Sequence, residues 1–357
     1  MKENTKLNIE EIKQKKIELK SYPIKIYIEP TQKCNLKCIM CDRHLFSSQE
    51  KEFPEDLFDK IKPLMKKAEE VNFFYFGEPL LSKNLKKFFN DTKKYSFLPK
   101  IFTNGTILND EILNLLDERG VFVNISLEST TKEIYETIRN GASFEQFETN
   151  LKKYAEKYKH RKNDRFHIRI SCAISVDTLP EILNIIEFAK KYGINDIFLG
   201  AVNLGEKSNR HLTYDEKKTA FYFKKGKELA DKYKIRFSCP AKIGDTIIEE
   251  NNNWNDFSLP IDKYISKTAE SAEAFNPNPL TNDCGYPWIQ TIIRANGDVC
   301  SCCQGRHVMG NLYNNSFDEI WNGKKYQTLR NQKNFRYCLG EKCNIVCYSI
   351  WRHQISR

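Results

Sequence analysis

Apolar residues fall into two alternating patterns between about residues 24 and 238. Short runs rich in Ile, Val and Phe occupy 24–29, 72–76, 100–103, 122–127, 166–174 and 196–199 and predict strands. Between them, near 55–70, 83–95, 109–119, 131–158, 180–192 and 213–234, apolar positions recur every three or four residues and predict amphipathic helices. Pro54 and Pro180 stand where helices begin, and Gly120 and Gly193 where they end. Six strand–helix units in succession imply a parallel sheet wrapped by helices. Six is short of the eight of a closed barrel. The expected fold class is α/β: a partial (β/α)6 TIM-like barrel, followed by a small cysteine-rich β-hairpin/helix domain.

The pattern also suggests the boundaries. Residues 1–21 read as an N-terminal helical extension, 22–239 as the barrel, 240–283 as a linker and 284–357 as the small domain. The linker is dense in Asn and Pro, as in Asn276-Pro277-Asn278-Pro279. Seven of the twelve cysteines follow it, where the apolar core is thin, so a metal centre is expected to staple that domain.

Directly after the first strand comes Cys34-Asn35-Leu36-Lys37-Cys38-Ile39-Met40-Cys41. A four-iron cluster held by cysteines normally takes four thiolates. Three leave one iron open to a ligand that is not protein. A structural zinc site is the alternative, with His44 or a distant residue as fourth ligand. The loop belongs at the C-terminal mouth of the strands, where α/β barrels carry their chemistry.

The C-x3-C-x2-C spacing after strand one resembles the signature of the radical S-adenosylmethionine superfamily, with Met40 as the apolar residue before the last cysteine. Further segments resemble that family in the expected order. They are Phe76-Gly77-Glu78-Pro79, Thr103-Asn104-Gly105 after strand three, and Ser126-Leu127-Glu128 with Ile138-Arg139-Asn140-Gly141 around strand four. The resemblance implies a [4Fe–4S] cluster on Cys34, Cys38 and Cys41 that chelates S-adenosylmethionine, and cleavage of that cofactor to a 5′-deoxyadenosyl radical. It implies cofactor contacts from Met40, Gly77, Glu78, Pro79, Asn104, Ser126, Glu128 and Arg139. Phe76 stands where the family has glycine, so close backbone approach is expected only at Gly77. Arg139 is expected either to pair with a carboxylate, that of the cofactor or of Glu128, or to lie on a helix surface.

The tail, with Cys284, Asn296-Gly297-Asp298, Cys302, Gly310-Asn311-Leu312, Phe317-Asp318-Glu319-Ile320-Trp321 and the late cysteines, resembles the SPASM/twitch extension of the same superfamily. Asn296-Gly297-Asp298 predicts a hairpin turn. The late C-x4-C-x3-C is shorter than the full SPASM pattern. The resemblance therefore implies one auxiliary [4Fe–4S] cluster, on Cys284, Cys302, Cys343 and Cys347, with Cys338 as alternate. Zinc is the rival occupant.

Composition narrows the classes. With 40% hydrophobic and 29% charged residues the chain reads as globular. No apolar run approaches a membrane span and no signal peptide is visible, so a cytoplasmic protein without membrane contact is expected. In a reducing compartment twelve cysteines point to metal ligation over disulfides. The net charge of +10 is spread over lysine-rich helix faces, and a nucleic-acid partner is not expected. Only 33 residues precede Cys34, which favours a small molecule, a sugar or a carrier-delivered substrate over a peptide. A reducing partner such as flavodoxin or ferredoxin is implied by the family. No catalytic acid or base stands out. The competing class is a non-catalytic iron–sulfur or zinc scaffold, which would not cleave S-adenosylmethionine.

Overall fold

The computed structural model describes residues 2–41, 43, 50–202, 210, 212–239, 242–243, 246–247, 285–302, 307–331, 337–338 and 341–342. These fall into two compact units. The first holds residues up to 33, those from 50 to 100, and those from 285 onward; the second holds 34–43 and 101–247.

The first unit begins with α1 (Glu3–Lys13), then β1 (Lys25–Ile28), α2 (Glu55–Lys67), β2 (Glu70–Phe73) and α3 (Leu85–Asp91). Helix α2 starts at Pro54 and carries acidic residues in its first turn and lysines in its last, which suits the helix dipole. Strand β3 (Leu98–Thr103) runs through the boundary, and its residues 98–100 belong to the first unit.

The second unit continues from β3 with α4 (Asp110–Arg119), β4 (Phe122–Ser126), α5 (Lys132–Ile138), α6 (Phe144–Lys159) and β5 (His167–Ile174). It adds α7 (Glu181–Tyr192), β6 (Asp196–Ala201), α8 (Glu216–Lys232) and β7 (Arg236–Ser238). Strands β4 to β7 pair in parallel, with Ser126 beside Ser171 and Ile174 beside Ala201. Helices α4 and α7 stop at Gly120 and Gly193, both in the left-handed region at φ 67° and 69°. Two-residue strands β8 (Lys242–Ile243) and β9 (Thr246–Ile247) form a separate antiparallel pair.

The C-terminal elements of the first unit are α9 (Tyr286–Ile289), β10 (Gln290–Ile293), β11 (Asp298–Cys300), β12 (Val308–Asn311), α10 (Phe317–Trp321) and α11 (Lys324–Arg330). Beyond them β13 (Tyr337–Cys338) pairs with β14 (Glu341–Lys342). Strand β10 runs parallel to β1, Lys25 beside Gln290 and Ile28 beside Ile293. The order in this unit is β12-β11-β10-β1-β2. The turn between β10 and β11 is the expected hairpin: Gly297 sits at φ 85° and its N–H donates to the Arg294 carbonyl at 2.9 Å. The stretch after α1 is fastened to this C-terminal part. Trp321 Nε1 donates to the Ser21 carbonyl at 2.9 Å, and Arg330 donates to the Ile17 carbonyl at 3.0 Å.

Two expectations are corrected. The helix expected over 131–158 is two helices, α5 and α6. Gly141 at φ 94° turns the chain between them, and Ser143 accepts from the Gln146 N–H to start the second. The carbonyls of Ile138 and Asn140 receive their hydrogen bonds from Ile39 and Lys37 and not from the next helical turn. The second strand covers 70–73, not 72–76, because from Phe74 onward the chain leaves the sheet for the Gly77 loop.

Candidate metal and cofactor site

Strand β1 hands the chain to Pro30-Thr31-Gln32-Lys33, which is braced from two sides within the first unit. Gln32 N–H donates to the Lys51 carbonyl at 2.8 Å and Glu78 N–H to the Lys33 carbonyl at 2.7 Å. A Cβ placed on Gly77 would lie 2.0 Å from the Thr31 carbonyl oxygen and 2.9 Å from that of Lys33. Any side chain there would force the two loops apart, so the close approach expected of Gly77 is present. Phe76, one position earlier, is half-buried. Glu78 is buried and accepts from the Leu80 N–H at 3.1 Å, capping the short helical turn Pro79–Leu81.

The cysteine loop itself lies in the second unit. Its backbone is pinned by Lys37 N–H on the Asn140 carbonyl at 2.8 Å and Ile39 N–H on the Ile138 carbonyl at 3.0 Å. A ring of side chains holds its start. Asn104 donates to Asn35 Oδ1 at 2.9 Å, Asn35 donates to Thr106 Oγ1 at 2.8 Å, and Thr106 donates back to Asn104 Oδ1 at 2.6 Å. Asn104 thus reaches the cysteine loop through Asn35, a residue that sequence reading passed over although it follows Cys34 directly.

Cys34, Cys38 and Cys41 are all half-buried. Burial pushes the Cys38 thiol up to about 11, with Arg139 opposing and Glu128 and the other two cysteines adding to the rise. A thiol so placed is protonated near neutrality unless a cation draws it to thiolate. Among the described residues no three His, Cys, Asp or Glu side chains stand close enough to hold a single ion. Cys34 and Cys41 both act on the Cys38 thiol through their charge, so the three lie near one another. That donor set fits an iron–sulfur cluster, with Cys34, Cys38 and Cys41 as the residues that would hold it.

Behind the loop, Arg139 and Glu128 form a bidentate pair at 2.6 and 2.8 Å, with side chains 6% and 3% exposed. Of the alternatives for Arg139, its partner is Glu128. Neither lies on a helix surface, and the attraction raises the guanidinium pKa further. Ser126 is half-buried at the end of β4, beside Ser171. Met40 lines a cavity with Ile39, Ile138, Ala173, Ser175, Thr178, Val202 and Arg210. Ile39, Met40 and Ile138 stand in segments that carry a motif, whereas Ala173, Ser175, Thr178, Val202 and Arg210 carry none.

In the first unit Cys302 follows β11 and is half-buried, whereas Cys300 is fully buried with its thiol pushed up to about 12, mainly by desolvation. Cys338 falls on β13. Cys284, Cys343 and Cys347, with His44, lie outside the described residues. Glu29, which no motif marked, is buried at the end of β1; desolvation raises its pKa against hydrogen bonds from Ala295 and Gln32. Among the described residues no helix is long and apolar enough to cross a membrane.

Comparison with known proteins agrees with this geometry. The model of the radical SAM superfamily matches residues 28–170, and that of the SPASM iron–sulfur cluster-binding domain matches 284–347. A Pyrococcus furiosus tungsten-containing aldehyde ferredoxin oxidoreductase cofactor-modifying protein is 38% identical over 99 residues, 27% of this chain and 28% of that one. The Bacillus subtilis antilisterial bacteriocin subtilosin biosynthesis protein AlbA is 23% identical over 345 residues, 91% of this chain and 66% of that one. The chain thus spans less than two thirds of both relatives. Streptococcus suis SuiB bound to S-adenosylmethionine shares the fold, with a TM-score of 0.66 at 15% identity over 96% of this chain and 76% of that one. The mixed α/β class of a partial TIM-like barrel is therefore the fold observed. The domains matched imply a [4Fe–4S] cluster with S-adenosylmethionine and auxiliary iron–sulfur ligation. With the cysteine triad and its pinned loop, residues 28–170 belong to the radical SAM superfamily, and residues 284–347 form a SPASM domain.

Proposed function

We propose that the protein is a radical S-adenosylmethionine oxidoreductase whose SPASM domain holds one auxiliary [4Fe–4S] cluster. The observation that carries this reading is the triad Cys34, Cys38 and Cys41 on a loop pinned by Ile138, Asn140 and the Asn35–Asn104–Thr106 ring. When bound, the cluster and its cofactor supply one-electron cleavage to a 5′-deoxyadenosyl radical that abstracts hydrogen from substrate. The chain binds and orients. The Gly77-Glu78 loop offers backbone and carboxylate to an ammonium. Arg139 acts through Glu128, holding that carboxylate and the two carbonyls beside it in place. Cys284, Cys302, Cys343 and Cys347 are the proposed auxiliary ligands, with Cys338 as alternate. A reducing protein such as flavodoxin or ferredoxin supplies the electron.

The substrate is a small molecule, a sugar or a group delivered on a carrier. A peptide substrate is the second reading, favoured by the alignment with AlbA over 91% of the chain. The test is anaerobic reconstitution with dithionite and S-adenosylmethionine. 5′-Deoxyadenosine should form, and Cys34→Ala should abolish it; equal amounts from both would sink the enzyme reading. Iron should reach about eight atoms per chain for two four-iron clusters, against about four for one.

A further inference from the structure

Glu29 is fully buried, yet no ligand or catalytic role falls to it in the reading above. Its Oε2 accepts from Gln32 Nε2 at 3.0 Å and from the Ala295 backbone N–H at 3.0 Å, and the Phe76 backbone N–H and the Arg294 guanidinium also act on the carboxylate. Gln32 lies two residues before Cys34; Ala295 lies in the β10–β11 hairpin of the SPASM domain, 266 positions along the chain from Glu29. A single carboxylate thus fastens the segment that enters the cysteine loop to the hairpin. Adjacent backbone bonds extend the knot: Glu29 N–H on the Ile293 carbonyl at 3.0 Å, and Glu78 N–H on that of Lys33 at 2.7 Å. Burying a carboxylate is costly unless hydrogen bonds offset it, and Leu or Met would fill the same space at less cost. The acceptor function, not the volume, is what the position uses.

Resting on the proposed S-adenosylmethionine site, we propose that Glu29 is a positioning residue. It sets Gln32-Lys33 and, through the Lys33 carbonyl, the Gly77-Glu78 loop, and it makes cofactor affinity depend on the SPASM hairpin being seated. Loosening the hairpin would then weaken S-adenosylmethionine binding without touching any residue that contacts the cofactor.

Two substitutions separate hydrogen bonding from packing. Glu29→Gln keeps one oxygen able to accept from Gln32 and Ala295 and sheds the charge. Glu29→Met fills similar space and accepts nothing. The full chain, reconstituted anaerobically, is assayed for equilibrium binding of S-adenosylmethionine and for hydrogen–deuterium exchange over 30–34, 74–80 and 292–300. Glu29→Met should raise the Kd by roughly tenfold and speed exchange in all three segments, since two buried donors lose their acceptor. Glu29→Gln should restore affinity to within about twofold and slow the exchange again. Gln32→Leu, which leaves Glu29 intact, should give an intermediate loss and serves if Glu29→Met does not fold. Wild-type affinity and exchange in Glu29→Met, or failure of Glu29→Gln as severe as that of Glu29→Met, would overturn the positioning role. If the wild-type chain with its clusters intact binds no S-adenosylmethionine, the functional reading fails instead, and the exchange comparison alone decides the role of Glu29.

Discussion

Replacing Arg139 by Met should destabilise the second unit strongly, and the size of the loss can be worked from the geometry. The guanidinium meets Glu128 in two hydrogen bonds of 2.6 and 2.8 Å, and both side chains are nearly excluded from water. Charges about 4 Å apart at an effective dielectric of about 20 attract by about 4 kcal/mol. Removing one partner of a buried pair typically costs about 3–5 kcal/mol, because the other charge is left unpaired. The two figures agree, so Arg139→Met should lose about 4 kcal/mol. Glu128→Gln should cost nearly as much, and the double variant far less than the sum, since it leaves no charge stranded.

The assay is denaturant unfolding of the three variants under reducing, anaerobic conditions, with iron per chain measured after reconstitution. Iron matters because Arg139 lies between Ile138 and Asn140, whose carbonyls hold Ile39 and Lys37 of the cysteine loop. A destabilised Arg139 should therefore release the loop and lower cluster retention as well as stability. A loss below about 1 kcal/mol in Arg139→Met, with additive behaviour in the double variant, would refute the buried pair.

Gly77→Ala should abolish S-adenosylmethionine binding measured at equilibrium, since its Cβ would sit 2.0 Å from the Thr31 carbonyl; the stability loss should be about 1–3 kcal/mol. Asn35→Ala opens the ring with Asn104 and Thr106, and should cost about 1–3 kcal/mol and accelerate cluster loss, followed by iron release to a chelator. Asp196 is nearly fully buried; desolvation pushes its pKa up, but the His167 hydrogen bond, Arg169 and Arg236 outweigh this and lower it from 3.8 to about 2. Its contribution of about 2 kcal/mol is thus present above pH 4 and lost as pH falls toward 2, so Asp196→Asn should flatten the acid limb of a stability–pH profile.

The strand–helix alternation was legible because parallel strands buried on both faces read as short apolar runs, and amphipathic helices repeat at their own period. The cysteine triad was legible because ligands on one loop carry their spacing in the sequence. What escaped were contacts whose partners lie far apart along the chain. The parallel pairing of β10 with β1 leaves no local mark, and neither does the reach of Glu29 to Ala295. The break at Gly141 was hidden for a related reason. Residues 131–158 have helical periodicity throughout, and only the tertiary use of the Ile138 and Asn140 carbonyls by the cysteine loop ends the first helix there.

That competition between helix and loop bears on how the triad is made. Had α5 continued, the carbonyls of Ile138 and Asn140 would be consumed by helical N–H groups and unavailable to Lys37 and Ile39. The loop would then need another partner for two backbone donors on either side of Cys38. Gly141, at a φ that L side chains rarely adopt, resolves the conflict by turning the chain before the next helical bond can form. The buried Arg139–Glu128 pair locks the residue between those carbonyls. Loop, helix end and ion pair are therefore one device, and a thiol half-buried among them is held at a fixed place before any metal arrives.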